Sequence, residues 1–257
     1  MPATDLPLLI EAARAAGDIA TRFWTDGHKT WDKPGGAGPV TEADLAVDAM
    51  LLDKLRRARP DYGWLSEETD DDGARLDCET VFIVDPIDGT RAFAQGERTW
   101  AHSLAVAVAG QVTAAVVYLP LRDKLYAAAK SGGAHLNGQI IAPSGRTVLD
   151  GAEILASKPT FRPQHWRDPM PKLNRNFRTS IAYRMCLVAE GRFDAMFTFR
   201  DTWEWDIAAG TLIAVEAGAK VTTRIGDPVT FNGPNAHTAG ILCAPETLHA
   251  QTLHALA

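Results

Sequence analysis

Apolar positions recur at helical spacing from near the start of the chain. In "LPLLIEAARAAGDIATRFW", Leu6, Leu9, Ile10, Ala13, Gly17, Ala20 and Phe23 fall on one face. "TEADLAVDAMLLDKLRRARPD" predicts a second helix with Thr41 as N-cap and Leu45, Ala49, Leu52 and Leu55 turned inward. The glycine-rich loop "DKPGGAGPV" separates the two. The pattern then changes to short apolar and β-branched runs. "TVFIV", "SLAVAVA", "VTAAVVYLP" and "KLYAAAK" predict strands, with "AGQV" as a hairpin turn. A second glycine-rich loop, "SGGAHLNGQ", precedes the strand "EILASK". Helix and strand then alternate. "TSIAYRMCLVAEG" is a helix ended by Gly191, "FDAMFTF" a strand, and "WDIAAGTLIAVEAG" a helix ended by Gly218. The strands "KVTTR" and "GILCA" and a final helix, "PETLHAQTLHALA", complete the chain. This order predicts an α+β lobe over residues 1–140 and an α/β lobe over residues 141–257, with the boundary between residues 131 and 145. A cleft is expected where the lobes meet.

Composition narrows the function. The chain has 257 residues, enough for one large core or two lobes sharing one. A net charge of −6 leaves no electrostatic footprint for a nucleic-acid polymer. An acidic protein that handles a small anion needs local positive charge, most cheaply a bound metal ion. Cys78, Cys186 and Cys243 form no C-x-x-C pair, so neither a zinc knuckle nor a redox motif is suggested, and reduced thiols in a cytoplasmic protein are expected. The N-terminal stretch carries Asp5 and Glu11 and lacks the basic region of a signal peptide. No apolar run is long enough to span a membrane. The histidines are scattered and none forms an H-x-x-x-H or H-x-E pair.

The candidate chemistry is acidic. In "FIVDPIDGTRAF" a strand ends in Asp85 and Asp88, with Pro86 biasing Asp85 toward extended geometry. Carboxylates forced together repel unless a cation lies between them. Oxygen ligands of this kind suit Mg²⁺ or Mn²⁺. A turn in which each aspartate bonds local backbone N–H groups is the plain structural alternative. Glu67 and Glu68 of "WLSEET", read alone, are better taken as solvated surface. Asp206 of "WEWDIAAG" reads as a helix N-cap, and Asp44, three residues after Thr41, as a capping acid.

Taken together, "PVTEAD", "LSEET", "DPIDGTRAF", "GAHLNGQ", "MCLVAEG", "WDIAAG" and "EAGAKV" resemble the inositol monophosphatase superfamily of Mg²⁺-dependent, lithium-sensitive phosphatases, in order and approximate spacing, over residues 33–232. The resemblance implies an α/β fold, a layered αβαβα sandwich of the sugar-phosphatase type. It implies that Glu67, Asp85 and the Ile87 carbonyl hold one Mg²⁺, and that Asp85, Asp88 and Asp206 hold a second. A third, weaker ion would use Glu67 and water, so two to three ions are implied, with Mn²⁺ as an alternative. Glu68 matches a supporting glutamate, and Lys33 a lysine near the third metal. Gly89 and Thr90 match the positions whose amides bind phosphate. Asp44 and the Thr90 hydroxyl match the pair that activates water, alongside Glu67. A homodimer is implied, with a small phosphorylated metabolite as substrate.

The substrate is less defined. Inositol-preferring members carry a glutamate where this chain has Phe199. Arg184 and Thr202 resemble the 3′(2′),5′-bisphosphate nucleotidase branch, which implies 3′-phosphoadenosine 5′-phosphate, with Arg184 and Asp206 in substrate binding and Phe199 or Trp203 stacking on a base. Inositol 1-phosphate and then histidinol phosphate are the alternatives. Some relatives act as protein-binding regulatory modules, but the matching carboxylates Asp44, Glu67, Asp85, Asp88 and Asp206 are all intact here, which favours an enzyme. Asp88→Asn is expected to remove turnover and leave the fold nearly intact.

Overall fold

The computed structural model describes residues 5–36 and 38–257. Helix α1 (Leu6–Asp26) is followed by a small antiparallel pair, β1 (Thr30–Asp32) and β2 (Pro39–Thr41), and by α2 (Glu42–Ala58). Next come β3 (Gly63–Ser66), β4 (Thr80–Asp88), the short helix α3 (Thr90–Ala94), β5 (Ala101–Val108), β6 (Gln111–Leu119), β7 (Lys124–Ala129), β8 (Ala134–Leu136) and β9 (Gln139–Ile140). Strands β3 to β9 form one seven-stranded sheet in sequence order. The β3–β4 pair is parallel and the later pairs are antiparallel.

The rest of the chain supplies β10 (Glu153–Ala156), β11 (Asn174–Asn176), α4 (Ile181–Ala189), β12 (Ala195–Trp203), α5 (Glu204–Ala217), β13 (Ala219–Thr222), β14 (His237–Pro245) and α6 (Glu246–Ala255). Its five strands form a second, mixed sheet in the order β11-β10-β12-β14-β13. Helices α1 and α2 cover one face of the larger sheet. Helices α4 and α5 lie between the sheets, and α6 packs on the outer face of the smaller one. The result is the expected αβαβα layering. Among the described residues no helix is long and apolar enough to cross a membrane.

The layering explains the composition of the elements. In β4, Phe82 and Val84 meet the α1–α2 layer, while Val81 and Ile83 meet the α4–α5 layer. A strand buried on both faces needs a continuous apolar run rather than alternation. Helix α5 is packed by both sheets and by α4, so its small and apolar residues surround it. A Cβ on Gly210 would lie 2.8 Å from the Met185 Cβ, so glycine is what lets α5 approach α4 this closely.

Three elements differ from expectation. Helix α2 turns Ala43, Val47, Leu51 and Leu55 inward, whereas Leu45 is 44% exposed and Ala49 is also exposed. The helix is rotated because it also buries Asp44 and Asp48, and Asp48 accepts hydrogen bonds from Ser66 (2.6 Å) and Thr69 (2.8 Å). The stretch "SGGAHLNGQ" is not only loop. It carries β8 and β9 as a hairpin turning at Asn137-Gly138, both at positive φ. Strand β12 does not stop at Phe199 but runs on to Trp203 after a register shift between Thr198 and Asp201.

Candidate active site

The "DPID" stretch stays within β4, with an irregularity against β5 between Asp85 and Asp88. The Pro86 carbonyl between them is bonded to the buried His102 Nδ1 at 2.5 Å. Asp206 lies in the first turn of α5, whose N-cap is Trp203, so the aspartate is not itself the cap. One carboxylate oxygen from each of Asp85, Asp88 and Asp206 lies within 4.8 Å of the others. The Asp85 Oδ1 atom is buried and has no hydrogen-bond partner among the described residues.

The electrostatics favour a cation at this point. Burial, then the Glu67, Asp88 and Asp206 charges, raise Asp85 well above the usual carboxylate range. Burial and then Asp88 do the same to Asp206. Burial lifts Asp88 to about 6 against the opposing bonds from Ser180, Ala182 and Ile181. A hard divalent cation would reverse these shifts and satisfy the orphaned oxygen. The donor set therefore suits Mg²⁺ or Mn²⁺.

Asp88 has a second task. Its Oδ2 accepts bonds from the Ser180 hydroxyl (2.6 Å) and the Ala182 amide (2.7 Å), and its Oδ1 from the Ile181 amide (3.2 Å). These donors open α4, so a carboxylate from the larger sheet caps the helix leading into the smaller one.

Glu67 follows β3 and lines the same cleft, but it does not join the converging triad. Lys33 Nζ binds Glu67 Oε1 at 2.9 Å and Glu68 Oε1 at 2.8 Å. The pair of glutamates is thus part of a charged cluster rather than solvated surface. Burial raises Glu68 to about 7, against the Lys33 hydrogen bond that favours its charge. Burial opposes the charge of Lys33, but Glu67 and Glu68 outweigh it and hold the ammonium above its ordinary value.

Asp44 is a capping acid that also reaches Thr90, a residue of the cleft wall. Its Oδ2 accepts from the Thr41 amide and hydroxyl, closing a capping box, while its Oδ1 accepts the Thr90 hydroxyl at 3.0 Å. Burial pushes Asp44 up to about 6, opposed by those bonds. Gly89 is at φ +100, so the chain can turn sharply into α3. The first intrahelical bond runs from the Ala92 amide to the Gly89 carbonyl, which leaves the preceding amides available to a ligand.

The substrate-selecting expectations fare differently. Arg184 is buried and its guanidinium bonds the Arg178 and Thr179 carbonyls (2.5 and 3.1 Å) over the Phe177 ring. It does not line the cleft, nor does it pair with Glu190, which binds Lys124 and Tyr126. Burial lowers Arg184 to about 10. Phe199 packs with Phe197, Trp166 and His165 in the outer core, and Thr202 is buried with its hydroxyl on the Arg200 carbonyl. Neither replaces a sugar-binding glutamate in the cleft.

The cleft has a volume of about 230 Å³ and also includes Arg91, Thr179, Arg200, Trp203 and Trp205. Arg91, Thr179 and Arg200 escaped the sequence reading. Ser180 escaped too, although a serine opening the helix "SIAYRMCLVA" is an N-cap signal. No periodicity marks His102.

The chain matches the inositol monophosphatase family over residues 3–257. It is 33% identical over 254 residues to the inositol-1-monophosphatase of Rhizobium meliloti, covering 94% of this chain and 91% of that protein. It is 32% identical over 230 residues to the Nus factor SuhB of Salmonella typhimurium, covering 86% and 85%. The crystal structure of the extragenic suppressor protein suhB from Bartonella henselae superimposes with a TM-score of 0.84 at 27% identity, covering 98% of this chain and 97% of that one.

Proposed function

Starting from the fact that the chain belongs to the inositol monophosphatase family, we propose that it is a cytoplasmic, Mg²⁺-dependent phosphomonoesterase acting on a small phosphorylated metabolite. One observation carries the reading. Asp85, Asp88 and Asp206 converge within 4.8 Å, and the Asp85 Oδ1 atom has no hydrogen-bond partner among the described residues.

Asp85, Asp88 and Asp206 would hold the cation, with Glu67 and the Ile87 carbonyl as further oxygen donors. When bound, Mg²⁺ neutralises the phosphate dianion and makes hydroxide accessible near neutral pH. The protein's own groups do the rest. Asp44 Oδ1 fixes the Thr90 hydroxyl, which orients the attacking water and passes its proton toward Asp44. The Gly89 and Thr90 amides face the phosphate oxygens and stabilise the charge that builds there. Lys33 holds Glu67 and Glu68 in place.

Two esters lead the substrate question, 3′-phosphoadenosine 5′-phosphate and inositol 1-phosphate, the latter suggested by the relatives named inositol-1-monophosphatase. The relatives named Nus factor SuhB support a second reading, a protein-binding regulatory module. A rate comparison on p-nitrophenyl phosphate with and without Mg²⁺, beside the Asp85→Asn variant, tests the enzyme reading. Metal-dependent turnover abolished by the substitution is expected. Turnover that is absent, or that survives the substitution at saturating Mg²⁺, rejects it.

A further inference from the structure

Asp85 and Asp88 stand three residues apart on β4, and regular strand geometry would point them to opposite faces of the sheet. The register shows how the strand avoids this. Asp85 pairs with Ser103 of β5 and Asp88 with Ala101, so Pro86 and Ile87 together stand opposite His102. An extra residue on one strand makes a bulge, and the bulge restores the phase. The Ser103 hydroxyl donates to the Trp205 carbonyl at 3.0 Å, and Ala101 packs in the core between the sheets, so both partners face the α4–α5 layer. Asp85 and Asp88 thereby meet Asp206 of α5 on the same side.

His102, across from the bulge, is fully buried. Its ring lies on the other face of the sheet. There it sits against Trp100, with centroids 5.5 Å apart and planes at 77°, and near Tyr118, its cross-strand partner on β6, at 6.4 Å. From this position Nδ1 reaches the buried Pro86 carbonyl. A carbonyl can only accept, so Nδ1 carries the proton and Nε2 is the bare nitrogen. Nε2 has no hydrogen-bond partner among the described residues. A phenyl ring would fill this apolar setting without the cost of burying a polar nitrogen. What the imidazole adds is one N–H aimed at the bulge. Pro86 has no amide to give to a ladder, which is why such a residue belongs at an irregularity of this kind.

We propose that His102 is a positioning residue for the ion site: by holding the Pro86 carbonyl, its Nδ1–H fixes the bulge that turns Asp85 and Asp88 to one face. The proposal rests on the metal-dependent phosphomonoesterase reading and adds to it a residue outside the lining of the cleft.

Two substitutions in the full chain separate positioning from packing. His102→Phe keeps a ring of similar size and loses the donor. His102→Asn keeps an N–H near the Nδ1 position and loses most of the ring. Mn²⁺ binding, followed by electron paramagnetic resonance of the free ion, is read beside the metal-free melting temperature and the Mg²⁺ concentration needed for half-maximal turnover of p-nitrophenyl phosphate. His102→Phe is expected to weaken Mn²⁺ binding and to raise the Mg²⁺ demand by roughly ten- to a hundredfold. His102→Asn should bind Mn²⁺ more tightly than His102→Phe even though it melts at a lower temperature, because it opens a cavity. The reverse order of Mn²⁺ binding, or wild-type binding in His102→Phe, makes the ring a space-filler and overturns the proposal. The wild type gives a check that needs no variant. The ¹⁵N resonances of the His102 ring should show the proton on Nδ1, and a proton on Nε2 also overturns the proposal. A wild type that binds no Mn²⁺ overturns the metal-dependent reading with it.

Discussion

Asp88 shows how much one side chain is asked to do. The sequence placed it among the metal-binding carboxylates, and its position beside Asp85 and Asp206 agrees with that chemistry. What no motif revealed is that both of its oxygens also accept bonds from the start of α4. The expectation that Asp88→Asn spares the fold therefore needs correcting. An amide would turn an NH₂ group toward backbone donors, which costs about 1–3 kcal/mol. Asp88→Asn is expected to lose most turnover and also to lower the melting temperature, and an unchanged melt would contradict the capping role. Thr90 offers a cleaner probe, because valine matches its shape. Thr90→Val removes the hydroxyl from Asp44 Oδ1 and is expected to reduce kcat by roughly 10²- to 10⁴-fold. Binding of inorganic phosphate should change far less, since the backbone amides remain; equal losses in both would assign Thr90 to binding rather than to water activation.

At the scale of elements, apolar runs buried on both faces were readable because nothing competes with hydrophobicity there. Strands β4 to β7 correspond to the runs read from the sequence. Helix α2 was found, but of its expected inward residues only Leu55 is buried, since the inward stripe includes Asp44 and Asp48 and apolar spacing alone selects a rotated face. The extension of β12 past Phe199 was hidden by the polar residues Arg200, Asp201 and Thr202, of which Asp201 and Thr202 pair with β14 all the same. Helix α6 makes a prediction of its own. His249 is buried against β13, with Nε2 2.8 Å from the Thr222 hydroxyl, Nδ1 unpartnered among the described residues, and Lys220 and Glu246 facing it. Burial and then Lys220 lower its pKa to about 4, against the opposing charge of Glu246. The folded state thus keeps this imidazole neutral, while the unfolded chain takes up a proton near pH 6.5. The neutral histidine's contribution is fully present above about pH 6.5 and is lost as pH falls through about 4, by at most about 3 kcal/mol. Denaturant melts at pH 7 and pH 4.5 should show a smaller acid loss in His249→Gln than in the wild type. Parallel losses in the two proteins would rule out this histidine as a source of acid sensitivity.

For the molecule as a whole, the acidic motifs stood out through their joint resemblance to one family, since each alone reads as well as a turn, a surface or a helix cap, and the layering followed from the order of elements. The rim of the cleft was not legible, because Arg91, Arg200 and Thr179 meet only after both sheets are assembled. One feature of that assembly reaches further. The Asp88 carboxylate contacts the candidate ion site on one side and the first turn of α4 on the other, so ion binding and the seam between the sheets share a thermodynamic linkage. Reciprocity then requires the same sign in both directions. Saturating Mg²⁺ should slow hydrogen exchange at the Ile181 and Ala182 amides. Ser180→Ala, altering a residue outside the lining of the cleft, should raise the Mg²⁺ concentration needed for half-maximal activity by roughly ten- to a hundredfold. Unchanged exchange and unchanged metal demand would show the two to be independent. If they move together, the ion that serves the chemistry also works as a latch on the architecture, and a cell's free Mg²⁺ sets how firmly the two halves of the protein are held together.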